Sequence, residues 1–287
     1  MQESNRNIKP LFIGHVSCDM VDGKCVLGGA VSYAATLCAQ LGIQSRIITS
    51  CSPDFEGLNL LASLGIHVEN IESERTTTFT NIYMGNERTQ YVTSVAEPIP
   101  LGSLSLGDAE SSFIFVAPIA QEFDPALIHL LSEKHTVACS IQGWLRCWDD
   151  EGKVKVKSMD WDLIKEADII FLSEEDIEGL EDARQELIDL GAIIVITDNE
   201  HGAKIYMKGK EHYFPAYPSQ LVDATGAGDI FATAFLIKYI QEKDIGSAAI
   251  FAHCAASIAI ENKGMKYPSL SENLERRVEQ YTTLHNL

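Results

Sequence analysis

The chain has 287 residues, 46% of them hydrophobic and 22% charged, which gives it a sizeable core and excludes a disordered polymer. Its 22 Lys and Arg against 41 Asp and Glu leave a net charge of −19 with no basic run, a balance that repels nucleic acid and anionic membrane surfaces. No segment reaches transmembrane length, residues 1–10 lack the apolar core of a signal peptide, and the seven cysteines form no C-x-x-C pair, so the composition fits a reducing cytoplasm.

Leu11-Phe12-Ile13 followed by Gly14 reads as a buried first strand, with Asp19 just beyond its C-terminal end. Open α/β sheets bind ligands there, although a solvated turn would use the same residue. Residues 20–27 read as a short extended excursion broken by the Asp22-Gly23 turn signal, before Gly28-Gly29 opens a small-residue helix over 30–41. The glycine pair serves either close helix packing or the approach of a ligand to bare backbone. A strand over 46–50, a helix over 55–64 and a further extended piece over 68–71 follow.

From 76 to 95 the residues turn Thr- and Tyr-rich and β-prone, with a turn at Gly85-Asn86-Glu87. With 20–27 they read as a small β lid over the carboxyl ends of the strands, or as an ordinary edge hairpin. Beyond Pro98 and Pro100, strands at 113–116, 136–140, 169–172 and 193–197 alternate with helices at 125–132, 161–166 and 181–190. That alternation predicts an α/β fold, a doubly wound, mostly parallel sheet flanked by helices, with one domain over 1–287 and no linker. A hairpin over 203–214, apolar helices over 226–241 and 247–260, and a more polar helix over 271–285 complete it.

The most informative run is Leu221-Val222-Asp223-Ala224-Thr225-Gly226-Ala227-Gly228-Asp229 at the head of a long apolar helix. The small residues let a ligand reach backbone N–H groups where the helix dipole favours an anion, and Asp229 is a base in the same turn. Thr225 as a plain N-cap, with Asp229 complementing the dipole, accounts for the run equally well. No Gly-Lys is followed by Ser or Thr, so there is no Walker A loop, and no metalloprotease, serine-hydrolase or Cys/His metal spacing occurs.

The stretch from Asp223 to Asp229 resembles the Asp-[Ser/Thr]-Thr-Gly-Ala-Gly-Asp signature of the ribokinase-like carbohydrate kinases, the PfkB superfamily, with Ala224 as a departure. The likeness extends over roughly 8–270, taking in G-x-x-x-x-D from Gly14 to Asp19 and the pair Gly28-Gly29. It implies a ribokinase-like fold and an ATP-dependent kinase. Asp229 would take the proton of a substrate hydroxyl, and the amides of Gly226, Ala227 and Gly228 would hold charge on the transferred group.

On the donor side the resemblance gives Ser173-Glu174-Glu175-Asp176 the place of an Asn-x-x-Glu segment that organises Mg2+ through water, with Asp176 as its carboxylate. Thr197-Asp198-Asn199-Glu200-His201-Gly202 would meet the nucleotide phosphates and ribose, Asn199 taking a left-handed conformation in place of glycine. Thr225 would join this nucleotide set. Phe251 to Ser257 would flank adenine, with His253 at its rim and Ser257 beyond, and Asp223 stands where some relatives shape a K+ site.

Gly28-Gly29-Ala30-Val31-Ser32-Tyr33-Ala34 and Gln142-Gly143-Trp144-Leu145-Arg146 are similar to the inositol-kinase branch. The acceptor is then myo-inositol or a sugar, held by Asp19, the backbone at Gly28 and Gly29, Phe79, Gln142 and Arg146. A nucleoside kinase, or an inactive family member serving as a binding subunit, is the alternative. The lid edges at 76–95 would suit a homodimer.

Overall fold

A computed structural model describes residues 8–84, 87–100, 102 and 111–285; the Gly85-Asn86 part of the expected lid turn lies outside them. The chain runs β1 (Pro10–Ile13), β2 (Ser17–Val21), β3 (Lys24–Gly28), α1 (Ala30–Gln40), β4 (Arg46–Cys51), α2 (Glu56–Ser63) and β5 (His67–Glu72). There follow β6 (Thr77–Met84), β7 (Glu87–Ser94), β8 (Phe113–Val116), α3 (Leu127–Ser132), β9 (Val137–Ser140) and α4 (Gln142–Leu145). Then come β10 (Arg146–Trp148), β11 (Val154–Val156), β12 (Ile169–Ser173), α5 (Ala183–Asp189), β13 (Ile193–Asp198), β14 (Gly202–Met207) and β15 (Lys210–Phe214). Three helices of 16 residues each close the chain: α6 (Ala227–Glu242), α7 (Ile245–Ile260) and α8 (Leu270–His285).

The main sheet has nine strands in the order β15-β14-β13-β12-β9-β8-β1-β4-β5, parallel except for the β13–β14–β15 meander. Its strands are apolar on both sides because helices cover both faces. Phe12, Phe113, Phe115 and Phe171 pack toward α1, α6 and α7, with Phe115, Phe171 and Phe235 meeting edge to face in sequence. Leu11, Ile13, Ile114 and Val116 fill the opposite layer with α3. α6 is buried continuously from Ile230 to Ile237, so it is apolar nearly all round and holds its N-terminus firmly against the sheet edge.

A second sheet of four strands, in the order β3-β2-β6-β7, stands off the first as the lid. The structure adds a part that the sequence does not suggest: the turn α4 and a hairpin of β10 with β11. That hairpin reaches the lid, where Tyr91 bridges to Lys153 and the Val92 N–H donates to the Gly152 carbonyl at 2.8 Å. Two of the seven cysteines depart from free-thiol status, since Cys18 and Cys25 form a disulfide between β2 and β3. Cys38, Cys51, Cys139 and Cys254 are buried thiols that act as small hydrophobes.

Candidate active site

The loops that follow β1, β8, β9, β12 and β13 open on one edge of the sheet, beside the start of α6. Gly226 is the N-cap of that helix, in the left-handed region at φ 77°, and no side chain caps the turn. A Cβ there would lie 2.3 Å from the Tyr33 ring, so only glycine fits. Thr225 is therefore not the cap. Its N–H instead donates to Asp223 Oδ1 at 2.9 Å, and Asp223 Oδ2 accepts from Gly264 N at 3.4 Å, which bends the chain into the helix. The Ala227 N–H closes onto the Ala224 carbonyl at 3.2 Å and is committed to the turn, which removes it from the expected trio of amides. Gly228 is exposed, with nothing within 4 Å of the place a Cβ would take.

Asp229 lies in the first turn of α6 with partial access to the cleft. Burial pushes its carboxyl up to about 7, Arg146 opposes that rise, and Asp176 and Asp19 add to it. Four charged groups from four separate elements thus face one another. Tyr33 and Tyr267 complete the surroundings: burial first, then Asp19 and Asp229 for Tyr33, and Asp223 and Asp229 for Tyr267, drive their hydroxyls well above the ordinary tyrosine value. Sequence reasoning left both out of the site. The signal available was Tyr33, a large aromatic in an otherwise small-residue helix.

Asp19 is not a loop residue; it belongs to β2, within the lid. It pairs in register with Val26 on β3 and Phe79 on β6, and Phe79 pairs with Val92 on β7, so these four side chains share one lid face. Ser17 Oγ donates to Asp19 Oδ1 at 3.0 Å. The carboxylate rests on Gly28, where a Cβ would come within 2.3 Å of Oδ2, so the glycine pair makes room for this acid. Phe79 is buried and lies 5.5 Å, ring centroid to guanidinium, from Arg146, whose Nη1 donates to the Ile119 carbonyl at 3.2 Å.

Gln142, expected beside the acceptor, donates from Nε2 to Asp176 Oδ1 at 3.0 Å and so links the two halves of the cleft. Asp176 Oδ2 accepts from Ser173 N at 2.7 Å and from Ser173 Oγ at 2.8 Å, a reciprocal cap that fixes both residues at the end of β12. Thr197 is the penultimate residue of β13, and Asn199 does take the left-handed conformation, at φ 43°, with its Nδ2 donating to Glu175 Oε1 at 3.1 Å. Gly202 begins β14 and is buried. His253 and Ser257 do not line an open rim. The His253 ring sits 4.9 Å from Phe231 and stacks on Tyr281 of α8, while Ser257 Oγ accepts from Arg277 Nη1 at 2.7 Å. Among the described residues no group of three or more His, Cys, Asp or Glu side chains forms a direct metal cage, and no helix is long and apolar enough to cross a membrane.

A carboxylate at the head of a glycine-opened helix, set on the edge of a doubly wound sheet beneath a β lid, defines a ribokinase-like fold. Residues 148–272 match the family described as pfkB family carbohydrate kinase. That stretch is 125 of the 287 residues, and kinases of that family are phosphotransferases on hydroxyl groups that use ATP, typically with Mg2+. It is 27% identical to a cytidine kinase of Thermococcus kodakarensis over 82% of this chain and 90% of that one. It is 23% identical to an inositol 3-kinase of Arabidopsis thaliana over 96% of this chain and 82% of that one. Among solved structures, a pyrophosphate-dependent kinase in the ribokinase family, complexed with a pyrophosphate analog and myo-inositol, is 28% identical at a TM-score of 0.79, covering 93% of this chain and 99% of that one.

Proposed function

We propose that this protein transfers a terminal phosphoryl group from ATP to one hydroxyl of a cyclic polyol or sugar, with myo-inositol as the model acceptor. The observation that carries the reading is Asp229: a carboxylate with its proton affinity raised to about 7, held at a left-handed glycine turn and facing Asp19 across the cleft. A base of that strength takes a hydroxyl proton at neutral pH, whereas an ordinary aspartate is some three units too weak. The open backbone at Gly228 and the positive end of α6 receive charge on the transferred group.

Asp19 accepts hydrogen bonds from acceptor hydroxyls, and the Val26–Phe79–Val92 surface beside it covers a ring's C–H face. With Asp19 and Asp229 both in the cleft, a neutral acceptor fits better than an anionic one. Magnesium arriving with the donor keeps most of its waters and needs few protein ligands, which suits Asp176, a single carboxylate pinned by three hydrogen bonds. When bound, the ion supplies charge neutralisation on the phosphates.

The test is phosphoryl transfer by the purified chain with Mg2+ and either ATP or pyrophosphate, against a panel of cyclitols, sugars and nucleosides. Turnover of a cyclitol or sugar is expected. Turnover of cytidine or another nucleoside alone would replace the acceptor class, and inactivity with every pair would overturn the kinase reading.

A further inference from the structure

We infer that Glu122, His15 and Thr77 form a hinge lock that positions Asp19 through the lid and Arg146 through the Ile119 backbone, the two charged groups that meet the acceptor; the acceptor part of this inference rests on the function proposed above. Besides the run of β3 into α1, the lid joins the main fold where β1 runs into β2, where β5 runs into β6, and where β7 returns toward β8. His15, Thr77 and the pair Ala96-Glu97 occupy those three crossings, far apart in sequence, and hydrogen bonds tie them together.

The bonding fixes its own protonation. The Glu97 carbonyl can only accept, so His15 Nε2, 3.1 Å away, carries the proton. Burial lowers the pKa of His15 and keeps the ring neutral, so Nδ1 accepts, and the Thr77 hydroxyl at 2.8 Å donates to it. The same hydroxyl oxygen accepts the Ala96 N–H at 3.0 Å. Each group has its partner. A fourth tie comes from Ser73, just before β6, whose hydroxyl accepts the Glu97 N–H at 3.0 Å.

Glu122 stands behind this relay. Its side chain is 1% exposed, and it takes the His15 N–H at 2.9 Å on one oxygen and the Ala120 N–H at 2.7 Å on the other, with Ile119 N within 3.0 Å of both. Such a carboxylate, satisfied by backbone donors and in no ion pair among the described residues, is costly to bury unless those donors need fixing. What it fixes is consequential. Four residues beyond His15, β2 presents Asp19, and the Ile119 carbonyl anchors the Arg146 guanidinium over Phe79. Glu122, His15 and Thr77 are positioning residues, since each acts on the acceptor through another group.

Thr77→Val keeps the shape and removes the hydroxyl, whereas Thr77→Ser keeps the hydroxyl. Backbone hydrogen exchange in the lid strands is read first, because it needs no substrate. Losing one buried, doubly used hydroxyl should speed exchange in residues 77–82 and 89–94 by about tenfold in Thr77→Val, with β1, β4 and β8 unchanged and Thr77→Ser near wild type. In turnover, the acceptor KM should rise about tenfold with the donor KM unchanged, again restored by serine. Glu122→Gln, which has fewer acceptor sites for the same donors, should move both readouts in the same direction. Unaltered lid exchange in Thr77→Val, or a uniform rise across both sheets, would overturn the lock. If the wild type turns over no acceptor, the function above falls and lid exchange alone decides the lock.

Discussion

At the base turn, Asp223, Gly226 and Asp229 lie within one run of seven residues, and helix α6 fixes all of them at once. At the lid hinge, the groups that fix Asp19 and Arg146 come from residues 15, 77, 96, 97, 119 and 122, and no two of the three crossings are neighbours in sequence. The first region is a local backbone conformation with chemistry attached. The second is a tertiary network in which each side chain is ordinary on its own. A conformation that depends on one turn is read from the chain directly, whereas one that depends on a hinge between distant segments is not.

Asp229→Asn should break the base end alone. Losing a positioned general base costs about 10²–10⁴ in kcat, measured by initial rates at saturating donor and acceptor, with exchange in the lid unchanged. Its stability has a definite sign. Because the folded carboxyl titrates near 7, above its unfolded value, the ionised form disfavours folding, so stability falls as pH rises from about 4 toward 7. The asparagine variant should therefore melt above the wild type at pH 8, and the gain should vanish near pH 4. A fall in melting temperature at pH 8 would contradict the assignment of a buried, raised carboxyl.

Gly28→Ala should break the lid end alone. Its methyl group enters the space of the Asp19 carboxylate, at 2.3 Å from Oδ2. The overpacking should cost about 1–3 kcal/mol of stability and, by displacing Asp19, should lower kcat/KM for the acceptor with the KM for the donor little changed. A loss shared equally by both substrates would mean that the two ends are not separable.

Arg146→Gln sharpens the comparison, because this side chain lies against Phe79 of the lid and its charge acts on Asp229. The guanidinium favours the ionised form of Asp229, so its removal raises that pKa. The rising limb of the pH profile of kcat should move above 7, making the variant weaker at pH 6 than at pH 9 relative to wild type. No movement of the limb would detach Arg146 from the base.

The β-α alternation, the hairpin at 203–214, the left-handed Asn199 and the glycine turn that opens α6 were legible because each is decided within a few residues. Asp19 was recognised as an acid near a strand end but was misplaced, since its membership of β2 depends on pairing with β6 some sixty residues later. Thr225 looked like a cap by composition, yet Asp223 takes its amide and moves the cap to Gly226. His253 resembled a rim residue until α8 was laid over it, and the placing of Tyr281 against that ring is a helix-packing event that no local pattern encodes. The strands β10 and β11 have three residues each, separated by an acidic Asp149-Asp150-Glu151-Gly152 turn, and read as loop in isolation.

That small hairpin has a bearing on how copies of the chain meet. Strand β7 borders the lid, and a free border is a template onto which a foreign strand can add. The bonds from Val92 to Gly152 and between Tyr91 and Lys153 occupy part of that template. The remaining border is β3, five residues long with exposed Lys24 at its start, a short charged strand of the kind that discourages uncontrolled addition. A strand added along β7 at Tyr91 and Val92 would compete with these bonds, so the hairpin guards that stretch of the lid border.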